Sequence, residues 1–311
     1  RNLTVSTKIP EVGDIYIICV GTPLNPLQKD KKVPDLSRLL MAAKNIGKCL
    51  KSGDLVILRS TVPPGTTRKK VLPVLESTSG LLGGTDFHLS YAPERTVEGG
   101  ALEELRSLPQ VIGGFNLDSV EATVAVFREL TLNIIRVESI EVSEFIKLIN
   151  NSFRDLSFAF SNQLAQIARN FDIDIVECIK AANSGYPRDQ VPFPSPGVGG
   201  PCLTKDPYFL AFDYKSNIGN KTLSEYGRSI NEGMIQHVID SIFEQFEKTG
   251  KNPKESQVLV CGLAFKGDPE TTDLRGSTAL KVANLLSSNS KYEQKKAGLD
   301  QCTEDEFNEF K

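Results

Sequence analysis

The chain has 311 residues, 40% of them hydrophobic and 24% charged, with a formal net charge of −3. That length exceeds what one hydrophobic core normally organises, so more than one domain is expected. Acidic and basic residues are interspersed, which argues against a nucleic-acid surface; no apolar run approaches the roughly 20 residues that span a bilayer; and two histidines make a His-rich metal site a poor expectation.

The first segment alternates strands and helices. Asp14 to Val20 (DIYIICV) is a short Ile/Val-rich run, read as a buried strand. Asp35 to Leu50 has helical spacing, with Pro34 and Asp35 as its start signal. Asp54 to Leu58 is a second buried strand. Thr66 to Leu75 reads as a helix after the Pro63-Pro64-Gly65 turn. Phe87 to Tyr91, Gln110 to Gly113 and Asn133 to Val137 read as further strands, with a helix from Leu117 to Leu130 between the last two. Such alternation predicts a parallel sheet with helices on both faces.

From Ile140 to Asn170 no proline or glycine interrupts a helical pattern, in which Phe145, Leu148, Ile149, Leu156, Phe160, Leu164 and Ile167 recur. A helix of that length, about 45 Å, reads as a spine between domains or a dimerisation element. More helix is expected at Ile173 to Ala182, Thr204 to Phe212 and Ser224 to Glu247, with a turn-rich, proline-rich loop from Asn183 to Pro201. A third unit begins with a strand at Gln257 to Val260, then a glycine turn, then a helix at Gly276 to Leu286, as a second nucleotide-binding sheet would begin. Ser287 to Lys311 is polar and aperiodic and reads as loop or tail. Arg1 to Pro10 is polar and mixed, without a signal-peptide pattern. The cysteines (Cys19, Cys49, Cys178, Cys202, Cys261, Cys302) are scattered and form no CxxC pair. Free thiols in a reducing cytosol are the expectation.

Gly197 to Asp206 (GVGGPCLTKD) is the stretch richest in chemistry. Its glycines allow close backbone approach to a ligand. Cys202 is expected at a helix N-terminus, where the dipole, free N–H groups and neighbouring Lys205 favour thiolate. Asp206 lies one turn further on the same face. An isolated cysteine is more often a small buried hydrophobe; the glycines and charged neighbours reverse that preference. Lys147 and Asn151 share a face of the long helix at i, i+4. Together they could hold an oxyanion, although a solvated helix face is the commoner meaning of such a pair. Glu94, in Tyr91-Ala92-Pro93-Glu94-Arg95, follows a strand and is placed to act as a base or orient a water. Glu98 is one turn on. Thr22 and Thr61 also follow strands, where they touch a cofactor or cap a helix.

These residues resemble a known family. GVGGPCLTKD is similar to the catalytic loop of the UDP-glucose/GDP-mannose dehydrogenases, and CVGTP, STVPPGT, APERTVEG, EFIKLINNSF and GLAFKGDPETTDLR occur in that family's order. The resemblance runs from the first strand to about Leu286. It implies NAD-dependent four-electron oxidation of a sugar C6 hydroxyl to a carboxylate. Cys202 would attack the C6 aldehyde to give a thiohemiacetal and then a thioester, which water cleaves. Lys147 and Asn151 match the oxyanion-stabilising positions, and Asp206 and Glu94 those that handle protons and water. Thr22, Thr61 and Glu98 match positions near the nicotinamide cofactor. Phe265, Lys266 and Arg275 match those gripping the nucleotide sugar, with Arg188 and Gly199 counted beside them. The PSPGVGGPC loop and APER are most similar to members acting on UDP-N-acetylhexosamines. UDP-N-acetylmannosamine is the first expectation, and UDP-glucose stays open.

The sequence also departs from the family pattern. No GxGxxG loop, the cradle of a dinucleotide pyrophosphate, precedes Val20, and the third unit stops after one strand and one helix. A piece of a longer protein, missing segments and a truncated product would each account for this. A complete product of 311 residues is expected to bind NAD weakly. The expected architecture is an α/β, Rossmann-like NAD-binding domain lacking its first glycine loop (1–138), a helical central domain on one long helix (139–250), and the start of a second Rossmann-like, UDP-binding domain (251–311). A cytoplasmic homodimer through the 140–170 helix is expected, with a UDP-sugar as ligand, NAD as cofactor, no metal, no nucleic acid and no membrane. Two rivals remain: a non-catalytic nucleotide-sugar-binding homologue, and a two-electron dehydrogenase of the 6-phosphogluconate type, which has no need of a thiol.

Overall fold

The computed structural model describes residues 3–7, 13–28, 31–214 and 221–288. Its sheet holds five strands side by side in chain order: β1 (Ile15–Ile18), β2 (Leu55–Leu58), β3 (His88–Tyr91), β4 (Gln110–Gly114) and β5 (Ile134–Val137). β2, Leu-Val-Ile-Leu, is buried at every position, because its two faces meet different helices. Val56 and Leu58 pack with α1 (Ser37–Gly47) and α2 (Leu72–Ser79). Leu55 and Ile57 pack with Val120, Val124 and Phe127 of α4 (Leu117–Arg128). The helix expected from Thr66 begins as a π-helical turn, Thr67–Val71, and continues into α2.

The sheet is not wholly parallel. β1, β2 and β3 pair in parallel, as do β4 and β5, but β3 and β4 run antiparallel. Between them the chain carries only a short helix, α3 (Ala101–Ser107), which buries no residue. It therefore left no apolar stripe for periodicity to detect. Gly113 lies so close to the start of the helix that follows β5 that a Cβ there would stand 2.2 Å from the Ser139 carbonyl oxygen.

The long helix is α5 (Ile140–Arg169), capped by the Ser139 side chain, which accepts from the Val142 N–H. α6 (Ile175–Asn183), α7 (Asp206–Ala211), α8 (Leu223–Thr249) and α9 (Thr278–Ser288) follow. α8 opens with a Thr222/Glu225 capping box and closes at left-handed Gly250. α5 inverts the usual amphipathic pattern. Ser143, Glu144, Ser152, Asp155, Ser161 and Asn162 are buried, while Phe145, Ile149, Phe153, Phe160 and Ile167 are exposed.

The buried polar face finds its partners on α8. Arg228 and Asp155 are each 1% exposed, with Nη1 and Oδ1 2.7 Å apart. Asn231 donates to the Asp155 carboxylate at 2.9 Å, and Asn162 donates to Asn231 at 2.8 Å. Asn162 in turn accepts from the Ser195 N–H, and Arg228 reaches the Val198 carbonyl. The network thus fixes the loop leading into Cys202 as well as the two helices.

Gln257 to Val260 is not a strand. Val258 and Val260 turn inward against α8 and α9, but among the described residues no neighbouring strand pairs with them, and an unpaired segment has no ladder to join. The expected tail beginning at Ser287 is helical through Ser288; 289–311, including Cys302, lie outside the described residues.

Breaking the buried ion pair leaves Arg228 with only the half-exposed carboxylate of Glu232, 3.4 Å from its Nη2. Asp155→Ala is expected to lower the unfolding free energy by about 3–5 kcal/mol, measured by urea denaturation. A loss below about 1 kcal/mol, the range of an exposed pair, would contradict this account.

Candidate active site

Cys202 follows a loop whose path depends on glycine. Gly197 and Gly200 hold left-handed backbone, φ +114° and +86°. A Cβ on Gly200 would lie 2.7 Å from the Phe265 ring, and one on Gly199 would lie 2.6 Å from the Gly276 carbonyl oxygen. The loop is therefore pressed directly against the 265–276 segment.

The thiol does not sit at the helix start expected from the sequence. The Cys202 carbonyl accepts from the backbone N–H groups of Lys205 and Asp206, at 3.1 and 3.0 Å, and α7 begins only at Asp206. The pKa of Cys202 moves up, opposite to the expectation. Burial is the largest cause and Asp206 the next; Lys147 and Lys205 pull it down. At neutral pH the sulfur is held mainly as a thiol, so it needs a base or a shift in local charge to become nucleophilic.

The charges beneath it are organised by Asp206, which is wholly buried. Its Oδ2 accepts from Asn151 Nδ2 at 2.5 Å, and its Oδ1 meets Lys205 Nζ at 2.6 Å. The Lys205 ammonium also stands 4.4 Å from the centroid of the Phe209 ring. α5 thus brings Asn151 onto the buried carboxylate and Lys147 within electrostatic range of the sulfur. Glu94 approaches from the sheet; its carboxylate accepts from the Thr96 N–H, and its charge acts on both Cys19 and Cys202.

At the carboxyl ends of β1 and β2, the Thr22 hydroxyl donates to the Thr61 carbonyl at 2.6 Å. Gly21 beside it has no heavy atom within 4 Å of an added Cβ. Glu98 is exposed and is contacted by the third unit: Thr271 donates to its carboxylate and Lys266 to its carbonyl, the latter at 2.6 Å. Arg275 is held by Asp273, and the charges of Glu98 and Cys202 also act on it. Arg188 behaves differently: it is exposed, and its described contacts are local, a hydrogen bond to the Tyr186 hydroxyl and a stack on that ring.

Sequence reading missed the buried supports. Glu144, Asp155, Arg228 and Asn231 were not singled out as candidates, although their spacing does place them on common helix faces. Tyr91, directly before the APER stretch, is wholly buried, with a hydroxyl that has no hydrogen-bond partner among the described residues.

The NAD binding domain of the UDP-glucose/GDP-mannose dehydrogenase family matches residues 1–131, and that family's central domain matches residues 141–233. The chain belongs to the UDP-glucose/GDP-mannose dehydrogenase family. One relative, the UDP-N-acetyl-D-mannosamine dehydrogenase of Pyrococcus horikoshii, is 35% identical over 93% of this chain and 67% of its own length. A second, the UDP-N-acetyl-D-glucosamine 6-dehydrogenase of Pseudomonas aeruginosa, is 34% identical over 88% of this chain and 63% of its own. Among solved structures, a UDP-N-acetyl-mannosamine dehydrogenase from Staphylococcus aureus superposes with a TM-score of 0.78 at 34% identity, over 93% of this chain and 65% of that one. The chain therefore spans about two thirds of the family members it matches.

The charge balance around the family's cysteine loop can be tested directly. Asp206→Asn removes a carboxylate that raises the Cys202 pKa and frees the Lys205 ammonium. The pH midpoint for alkylation of Cys202 by iodoacetamide, followed by mass spectrometry of its peptide, is expected to move down. An unchanged or raised midpoint would contradict this assignment of charges.

Proposed function

We propose that the protein oxidises the C6 hydroxyl of a UDP-sugar to a carboxylate by removing four electrons, with Cys202 as covalent nucleophile. The observation that carries this reading is the Asn151–Asp206–Lys205 cluster beside Cys202, with Lys147 in electrostatic reach. A thiol and an oxyanion site at one point are what a reaction passing through a bound aldehyde requires.

The residues present suit the nicotinamide end of NAD. Thr22 and Thr61 join two parallel strand ends, and the open space at Gly21 admits a flat ring beside them. NAD, when bound there, supplies the hydride acceptor for both oxidations. The chain supplies the rest. Lys147 and Asn151 stabilise negative charge developing on the C6 oxygen. Cys202 gives its proton to a neighbouring base as its sulfur bonds to C6, forming a thiohemiacetal and, after oxidation, a thioester. Glu94 and Asp206 orient the water whose oxygen becomes the second carboxylate oxygen as the C–S bond breaks. Phe265, Lys266 and Arg275 hold the nucleotide sugar, assisted by the close approach that Gly199 permits; Arg188 joins them if its loop meets the sugar. Glu98 lies on the cofactor side.

UDP-N-acetylmannosamine is the proposed substrate, supported by relatives named for that activity. The scattered free thiols suit a reducing cytoplasm. The exposed apolar face of α5 supports a homodimer through that helix. Sedimentation showing a stable monomer at micromolar concentration would contradict the dimer. The division at 138 and 250 into cofactor, helical and UDP-binding units is kept as part of this reading.

Purified protein is expected to form two NADH per sugar from NAD and UDP-N-acetylmannosamine, and none after Cys202→Ala. NADH from UDP-glucose or UDP-N-acetylglucosamine instead would change the substrate. NADH from none of the three would favour a nucleotide-sugar-binding homologue without catalysis.

A further inference from the structure

The antiparallel turn in the sheet brings a buried amide to the loop that carries Glu94. β3 and β4 pair at Ser90 with Gly114 and at Tyr91 with Gly113. Continuing that register past Tyr91 sets Gln110, the first residue of β4, opposite Glu94. A parallel β4 would have put its first residue at the other end of the sheet. Gln110 is buried, and its amide is fully engaged. Nε2 donates to the Pro93 carbonyl at 3.1 Å and to the Val111 carbonyl at 2.8 Å, and Oε1 accepts from Arg59 Nη1 at 3.1 Å. Carbonyls only accept and a guanidinium only donates, so the amide fits one way round. Arg59 is itself placed by the Phe127 ring of α4, 4.9 Å from its centroid.

These bonds act on the backbone just before Glu94. The Ala92 N–H still follows the sheet, donating to the Leu58 carbonyl at 2.9 Å. The Pro93 carbonyl turns to Gln110 instead. Because the peptide between Pro93 and Glu94 is planar, holding its oxygen fixes the plane from which the Glu94 side chain projects. The Glu94 carboxylate then accepts from the Thr96 N–H, and Arg95 reaches the Pro109 carbonyl more loosely, at 3.5 Å. Glu94 lies within electrostatic reach of both Arg59 and Cys202.

We propose that Gln110 is a positioning residue for Glu94: its bond to the Pro93 carbonyl, anchored at the other end by Arg59, holds the Glu94 carboxylate where the water that cleaves the Cys202 thioester is oriented. This rests on the dehydrogenase reading for its chemical consequence, though not for its geometry. In that cleavage the water oxygen bonds to C6, and the C–S bond breaks with its electron pair going to sulfur. One water proton passes by way of Glu94 to the sulfur, leaving the sugar acid and a free thiol. A Glu94 displaced by loss of the Pro93 bond slows this step and leaves the two oxidations before it intact.

Hydrogen exchange and NADH kinetics of Gln110→Met and Gln110→Glu test this. Gln110→Met removes the bonds to Pro93, Val111 and Arg59 at similar volume, whereas Gln110→Glu keeps an acceptor for Arg59 and loses both donors. In both variants the Thr96 amide, which rests on Glu94, should exchange at least about ten-fold faster. The Phe115 amide at the other end of β4, bonded to the Leu89 carbonyl at 2.8 Å, should keep its rate. In both, kcat should fall at least about ten-fold. The ratio kcat/KM for the sugar reports the steps before the thioester is cleaved and should change less than about three-fold. The first turnover should then appear as a burst of about two NADH per site, with the sugar acyl group on the Cys202 peptide in acid-quenched mass spectra. An equal loss of kcat and kcat/KM without a burst is what general damage produces and would overturn the positioning role. So would an unmoved Thr96 amide, or a Gln110→Glu protein that behaves as the unmodified one. No NADH from the unmodified protein would instead count against the dehydrogenase reading, and the Thr96 and Phe115 amides would still decide whether Gln110 holds Glu94.

Discussion

The structure depends on a long helix that turns its polar face inward. Burying carboxylates such as Glu144 and Asp155 is costly unless each finds donors, and each finds them on a different part of the chain. Glu144 takes the loop behind β2, while Asp155 takes Arg228 and Asn231 of α8. Asn151, between them, takes Asp206. Unlike apolar contacts, which tolerate sliding, these pairings fix the helix in both register and rotation. The cofactor-side loop, the cysteine loop and α8 are thereby indexed to one rod.

That indexing also sets the charge around the cysteine, whose pKa is raised rather than lowered. A thiolate beside a buried Asp206 would face repulsion, and the two nearby ammonium groups only partly offset it. Lys205 is already committed to Asp206, leaving Lys147 as the cation freer to respond. A protonated sulfur is less open to oxidation and alkylation than a thiolate.

Much of the fold was legible because it was written in apolar periodicity. Short Ile/Val/Leu runs marked β1 and β2, and an uninterrupted stretch marked α5 within a residue of its end. Direction was harder to read: the antiparallel β3–β4 pairing depends on a short, wholly unburied α3, and on close approaches at Gly113 that periodicity does not encode. The unpaired 257–260 segment shows the converse. Its alternating valines read as a strand, but strand identity requires a neighbour, and no local pattern supplies one. In the site, Lys147, Asn151, Cys202 and Asp206 were legible as a motif, and the structure gathers them. Arg188 was named with them, yet its contacts are with Tyr186 in its own loop. The supports were hidden because polar residues on a helix are ordinarily read as facing water.

The 265–276 segment adds a second constraint to that of α5. Phe265 presses on Gly200, two residues before the sulfur, while Lys266 and Thr271 hold Glu98 on the cofactor side. The residues assigned to grip a nucleotide sugar thus already touch both the cysteine loop and the cofactor-side loop. A ligand that repositions Phe265 must act on the Gly199–Gly200 backbone, because no side chain stands there to absorb the movement. One that draws Lys266 away releases the Glu98 carbonyl. The two halves of the candidate site are thus joined through the 265–276 segment as well as through α5.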